Sequence, residues 1–399
     1  MKKVLEGSMA ISESVRIAEP RVISAYPITP QTHIVEHLSQ MVADGNLKAE
    51  FVMVESEHTA ASVCLGASAC GVRSYTSTAS QGLLYMSEVI YNIAGMRLPV
   101  VITIANRAVS APINIWNDMQ DSMALRDAGA IQLYAENNQE AYDMHIQAYK
   151  IAENKDVMLP VMVCVDGFVL THTFEVVETI DEVERVREYL PPLNMEYKLD
   201  VDNPYSFGTL GEPSVYMESR FNLANAVNNS KKVIVSAAQE YKDMFGKFHG
   251  ALIDTYKTDD AETIIVAMGS ILGTIKDVVD ELRESGKKIG VLKVRSFRPF
   301  PEEEIVAALE DAGNVIVIEK AISLGKGGIL SQEIRDVLYK HRINSINVNG
   351  YVLGLGGRDI TPKNIIDLIE KAKTDENMDG EFFGLNSFIE QGNISNIGD

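Results

Sequence analysis

The stretch Val22-Ile23-Ser24-Ala25-Tyr26-Pro27-Ile28-Thr29-Pro30-Gln31-Thr32 sets the reading of the first half of the chain. Val22–Ala25 fits a short buried strand, and two prolines in the next five residues end it. From Thr32 to Val42 apolar residues recur at helical spacing. The same passage from strand through turn to helix recurs along the first 165 residues. Strands are also expected at Phe51–Val54, Tyr75–Thr78, Val100–Ala105 and Pro160–Val165. Helices are expected at Ala10–Ala18, Thr32–Val42, Glu57–Ala69, Gly82–Ala94 and Gln139–Ala152. Strands alternating with helices predict an open, mostly parallel sheet covered on both faces.

At 399 residues the chain exceeds one ordinary core, since domains take roughly 100–200 residues each. From Glu188 to Asp259 the alternation breaks. Pro191-Pro192 and DVDNPYSFGTLGEPS predict an extended segment, and a helical stretch follows from about Tyr216 to Phe248. A second α/β unit begins near Asp260. Its expected strands are Ile264–Met268, Ile289–Val294, Val315–Ile318 and Ile346–Val348. Its expected helices are Thr274–Glu284, Glu302–Leu309 and Gly327–Lys340. The fold class is α/β, with two open sheet domains, 1–187 and 260–373, joined by a long connector, 188–259. An acidic tail, 374–399, carries six acidic residues and no basic one, and its ordering is expected to need a partner.

Composition excludes several functions. The net charge of −20 and the lack of a basic cluster argue against nucleic-acid binding. No apolar run reaches the ~18 residues of a membrane span, and the N-terminus lacks a signal-peptide core, so a cytoplasmic protein is expected. The three cysteines, Cys64, Cys70 and Cys164, include no CxxC pair, which argues against a disulfide framework and against a four-cysteine metal or iron–sulfur site built by this chain alone.

The strand ends carry the polar residues. Thr29 presents a hydroxyl where ligands bind in open α/β sheets, although a rigid turn with Thr32 as N-cap explains the same residues. In Val54-Glu55-Ser56-Glu57-His58, Ser56 fits an N-cap and the acids fit a first helical turn, and equally one carboxylate could share a proton with a ligand nitrogen. Thr76–Gly82 is a small polar run without a Walker pattern. Arg107 follows a fourth strand and suits a carboxylate or a structural ion pair. Asn117-Asp118 and Met119–Arg126 add polar groups. His33 and His37 are four residues apart with no third ligand nearby in sequence, which reads as a solvated helix face. The glycine runs Gly325–Gly328 and Leu353–Arg358 read as turns or helix starts. No metal site is expected.

Taken together, SAYPITPQT, VESEHTAASVCLGASACG, TSTASQGLLYMSEVIYNIAGMRLPVV, NRAVSAPINIWNDMQDSMALRD, YAENNQEAYD, LPVMVCVDGFVLTH, KVRSFRPFP and GLGGRD resemble the alpha subunit of pyruvate:ferredoxin oxidoreductases of the multi-subunit form. The resemblance implies a pyrimidine-binding domain of thiamine enzymes followed by a transketolase-C-terminal-like domain. It implies reversible conversion of pyruvate, coenzyme A and oxidised ferredoxin to acetyl-CoA, carbon dioxide and reduced ferredoxin. Thiamine diphosphate would be shared with a beta subunit, since this chain lacks the family's GDG…N signature. Magnesium and iron–sulfur clusters would lie on other subunits, and beta, gamma and delta-type partners are expected. Glu57 matches the family's glutamate, whose partner is the cofactor's aminopyrimidine ring nitrogen. Thr29 matches a threonine beside the substrate, and Arg107 a carboxylate-binding arginine. His58 receives no role. A subunit for a branched-chain or other 2-oxoacid is the nearest alternative, and a non-catalytic scaffold subunit is the alternative of another class.

Overall fold

The computed structural model describes residues 1–386, which fall into two units. The first comprises Met1–Asp254, Met268–Ser270 and Lys293–Glu304, and the second comprises Thr255–Ala267, Ile271–Leu292 and the chain from Ile305 onward.

A seven-stranded sheet organises the first unit. Its strand order is Ser296–Arg298, Ile131–Tyr134, Val161–Asp166, Val101–Asn106, Ser74–Thr78, Val22–Ala25, Glu50–Met53. Every neighbouring pair is parallel except the first, where Ser296–Arg298 runs antiparallel to Ile131–Tyr134. Val101–Asn106 and Val161–Asp166 are buried along their whole length, as strands covered on both faces must be. No apolar run marks Ile131–Tyr134 in the sequence, because Gln132 interrupts it. The Gln132 amide is nevertheless buried and donates to Ser122 O at 2.8 Å. The helix expected over Gly82–Ala94 is two helices, Ser80–Tyr85 and Ser87–Gly95, which meet at Met86. A separate antiparallel pair joins Lys2–Glu6 to Phe174–Glu178.

The segment expected as a connector packs into this unit. Pro213–Phe245 is one helix of 33 residues, with proline in its first turn and Gly246 in a left-handed conformation at its end. Leu223, Ala226, Ile234, Ala237 and Tyr241 recur at helical spacing and join the unit's core. Lys293–Glu304 belongs with this unit as well, because fully buried Arg295 donates from Nε to Glu140 Oε1 at 2.9 Å and Lys293 Nζ donates to Glu140 Oε2 at 2.6 Å.

The second unit carries a six-stranded sheet in the order Glu381–Phe382, Asn347–Val352, Asn314–Glu319, Thr263–Ala267, Ile289–Val294, Ile253–Tyr256. Its helix Leu330–Lys340 begins later than expected because Gly325–Gly328 form a turn, closed by a bridge between Ser323 and Gly327. The buried Glu319 carboxylate accepts from the N–H groups of Ile329, Leu330 and Ser331, so the protein's own acid occupies that helix N-terminus. Pro362–Ala372 is a further helix, capped by a reciprocal Thr361–Asn364 box. The start of the acidic tail orders on the unit itself. Tyr351 Oη donates to Asp375 Oδ2 at 2.6 Å, and Glu381–Phe382 pairs with Tyr351 and Val352. Residues 387–399 of that tail lie outside the described residues. No helix among the described residues is long and apolar enough to cross a membrane.

Candidate active site

Because the strands from Ile131 to Met53 are parallel, their carboxyl ends share one edge of the sheet. Val22–Ala25 lies between Glu50–Met53, the next strand in sequence, and Ser74–Thr78, the one after. The connections therefore diverge around Val22–Ala25, and such a switch point opens a ligand crevice at the strand ends. Thr29 and Glu57 follow two of these strands, and the Thr76–Gly82 run spans the end of the third, Ser74–Thr78, and the turn after it.

Glu57 is the first residue of the helix Glu57–Ala69. Ser56 caps that helix by accepting from Thr59 N at 3.2 Å. The Glu57 side chain is only 9% exposed, yet its carboxylate has no hydrogen bond or ion pair to another described residue. Gly82 explains how it fits. A Cβ at position 82 would stand 2.6 Å from Glu57 Oε1 and 2.5 Å from Thr78 Oγ1. The Thr78 hydroxyl is itself buried without a partner. A buried hydroxyl and a largely withdrawn carboxylate, neither with a partner among the described residues, therefore meet against the bare face of Gly82, and both are available to a ligand. The His58 ring stands 5.7 Å from that of Tyr85.

Arg107 is 5% exposed. Its Nε donates to Asn114 O at 2.9 Å and its Nη1 to Thr29 O at 2.9 Å. Thr29 and Arg107 are thus brought together, but through the threonine's backbone carbonyl. The Thr29 side chain is exposed. Nη2 has no acceptor among the described residues and remains free to bind an anion. Burial pulls Arg107 below the usual arginine range, opposed by the nearby Asp121.

Two organising residues carry little signal in the sequence. Gln31, fully buried, donates from Nε2 to Ser77 O at 2.7 Å and Ser77 Oγ at 2.8 Å, tying the Thr29 turn to the neighbouring strand Ser74–Thr78. Thr32, read as an N-cap, is instead the first helical residue after Gln31. Asp121, in the short helix Gln120–Ala124, accepts from Ser80 N at 2.8 Å, Asn106 Nδ2 at 2.7 Å, Arg107 N at 3.1 Å and Ser122 N at 2.8 Å. Burial pushes its carboxyl up to about 7 against these four donors. Ser80 sits at φ 48°, a strained conformation for a residue with a Cβ, and the bond to Asp121 helps hold it there. Arg107 and the Thr76–Gly82 run are therefore locked to one carboxylate. The only signal for Asp121 was its place in the polar stretch after Arg107.

Cys64 and Cys164 are buried in separate strands and helices and Cys70 is exposed, and no cysteine belongs to a metal-ligand cluster among the described residues. Burial pushes the Cys64 thiol up to about 12.

Residues 13–239 match the family described as pyruvate flavodoxin/ferredoxin oxidoreductase, thiamine-diphosphate-binding, and residues 261–365 match core domain II of pyruvate:ferredoxin oxidoreductase. A pyruvate synthase subunit PorA of Methanosarcina barkeri is 51% identical over 93% of this chain and 92% of its own length. That of Methanocaldococcus jannaschii is 50% identical over 94% and 97%. A ketoisovalerate oxidoreductase subunit VorA of Pyrococcus horikoshii is 42% identical over 94% of each. The fold is shared with a solved 2-oxoglutarate:ferredoxin oxidoreductase from Magnetococcus marinus, at a TM-score of 0.69 and 19% identity, over 93% of this chain and 65% of that one. A crevice at the sheet's switch point, and matches that span both units, lead to one assignment: the chain belongs to the pyruvate flavodoxin/ferredoxin oxidoreductase family.

Proposed function

We propose that this chain is the alpha-type subunit of a pyruvate:ferredoxin oxidoreductase, active as a complex in the cytoplasm with beta, gamma and delta-type partners. The observation that carries the proposal is the Glu57 carboxylate, withdrawn from solvent, without a partner among the described residues, and packed with the unmet Thr78 hydroxyl against Gly82. Identity near 50% to pyruvate synthase subunits, against 42% to a ketoisovalerate subunit, favours pyruvate over a branched 2-oxoacid.

The unmet groups fit thiamine diphosphate. Glu57 would hold a proton toward a basic ring nitrogen of the cofactor, and the buried Thr78 hydroxyl is a second hydrogen-bonding group beside it. When bound, the cofactor supplies the carbon nucleophile and the electron sink that decarboxylation of a 2-oxoacid needs. Arg107 binds the substrate carboxylate through Nη2 while its other edge fixes the Thr29 turn. A single open amino group, rather than a full guanidinium fork, grips without over-stabilising a group that must leave as carbon dioxide. The exposed Thr29 hydroxyl donates to the substrate. Asp121 orients Arg107 and Ser80 from behind. Acetyl transfer to coenzyme A and passage of an electron pair to ferredoxin complete the reaction. Magnesium and the iron–sulfur clusters are assigned to the partner chains, which agrees with cysteines that do not converge.

The test is kcat/KM for coenzyme-A-dependent ferredoxin reduction by the purified complex. Pyruvate should exceed 2-oxoisovalerate, 2-oxoglutarate and oxalate. Preference for a branched or dicarboxylic acid would overturn the substrate, and no reduction with any 2-oxoacid would favour the scaffold reading. Iron–sulfur absorbance in the isolated chain would overturn the placement of the clusters.

A further inference from the structure

His33 is not on a bare solvated face, as the sequence suggested. Its Nδ1 stands 2.7 Å from Glu6 Oε1, and its ring centroid is 4.6 Å from that of His172. One ligand atom from each of Glu6, His33 and His172 lies within 4.8 Å of the others. We propose that these three residues form a binding site for a single divalent transition ion of the zinc class.

Three segments remote in sequence hold the set in place. Glu6 ends the strand Lys2–Glu6, paired with Phe174, and the following Gly7 N and Ser8 N donate to Thr173 O and Thr171 O at 3.1 and 2.9 Å. That ladder fixes Glu6 beside His172 from the opposite strand's approach. A Cβ on residue 7 would stand 2.0 Å from Leu170 O, so glycine is what lets the two segments close. His33 comes from the first turn of Thr32–Ala43.

The donor set selects the ion. Two imidazoles and one carboxylate suit zinc or cobalt, whereas magnesium and calcium require a shell of oxygens. A tetrahedral ion with ligand bonds near 2.0–2.1 Å needs ligand atoms about 3.3 Å apart. Glu6 and His33 must therefore open slightly and His172 close in. His33 can rotate, its side chain being 42% exposed. Around the set, Thr171 Oγ1 lies 2.7 Å from His172 Nδ1 and also accepts from Phe168 N at 2.9 Å. With Nδ1–H donating to Thr171, His172 Nε2 keeps its lone pair for the ion, the arrangement that orients metal-bound histidines. Three protein ligands leave the fourth position to water. Bound there, the ion would clamp the Lys2–Glu6 strand to the helix that follows the Thr29 turn.

Cobalt(II) titrated into the purified full chain tests the site by its visible absorption. One equivalent per chain is expected, with a four-coordinate spectrum, no thiolate charge-transfer band, and displacement by zinc. His33→Ala, His172→Ala and Glu6→Gln should each weaken binding by about 100-fold or more, since loss of even an outer-shell partner costs 10–100-fold. His37→Ala and Cys70→Ser should leave it unchanged. Circular dichroism checks folding, and His33→Ala decides the matter if His172→Ala is misfolded, because His33 is half-exposed. No saturable cobalt binding by the wild-type chain, binding that survives His33→Ala, or a thiolate band lost in Cys70→Ser would overturn the proposal.

Discussion

Glu57 and Glu140 occupy matching places in the first unit. Each is an acid in the first turn of a helix, each helix is capped by the preceding polar residue (Ser56 or Asn137), and each side chain is withdrawn from solvent. Glu140 is saturated. It accepts from Lys293 at 2.6 Å, Arg295 at 2.9 Å and Glu136 N at 2.8 Å. Burial alone would raise its carboxyl, but Lys293 and Arg295 outweigh that and hold it at about 2. Glu57 has none of these partners. A buried acid that the chain satisfies holds the fold together, and one that it leaves unsatisfied marks where something else must bind.

The widest separation of the two acids should come from glutamine substitutions. Glu57→Gln keeps the shape and removes the proton, so turnover of the complex should fall by about 10²–10⁴-fold while the unfolding midpoint hardly moves. Near-normal turnover would break the contrast and turn attention to Glu55. Glu140→Gln should do the reverse. Leaving Arg295 buried without a counter-charge, and Lys293 with Glu136 alone, should cost about 3–5 kcal/mol in denaturant unfolding. Its stabilising effect is present above the ordinary carboxylate range and disappears as pH falls toward about 2, so the penalty of the substitution should shrink in acid.

Gly82→Ala sharpens the comparison. The new methyl must displace the buried Thr78 hydroxyl as well as the Glu57 carboxylate and Cγ, so activity should drop by an order of magnitude or more with a smaller loss of stability. Equal losses in both would mean that the glycine serves packing alone.

Asp121 tests a third kind of buried acid, one with donors but no cation bonded to it. Its folded-state value of about 7 lies above the ordinary one, so its contribution to stability is full in acid and is lost as pH rises through about 7. Asp121→Asn should therefore be clearly less stable than wild type at pH 5 and closer to it at pH 8. A gap independent of pH would show the carboxylate ionised throughout. The smallest effect is expected for Thr29→Val, which removes one hydroxyl from an exposed side chain. It should lower kcat/KM for pyruvate by about 10-fold, in keeping with roughly 1.5–3 kcal/mol for a hydrogen bond to a charged group, discounted for exposure. Unchanged kinetics would leave Arg107 as the sole substrate contact proposed on this chain.

Much of this molecule is legible from residue order. Short apolar runs closed by Pro27, Pro30 or Gly82, with helical spacing between them, determine the parallel architecture, because strand and helix periodicities are local properties of the chain. Helix starts such as Ser56-Glu57 are equally local. What residue order could not separate was Glu57 from Glu140, since their difference lies in partners more than 150 residues away in one case and in none in the other. The same holds for Asp121 gathering donors from Ser80 and Arg107, for Gln31 reaching Ser77, and for Glu6 and His172 meeting His33. The long helix Pro213–Phe245 looked like a connector because its apolar stripe is narrow, and only packing showed which core receives it. Sequence fixes what each segment prefers by itself, whereas the satisfaction of a buried charge is a three-dimensional condition, settled only when the segments that supply its partners come together.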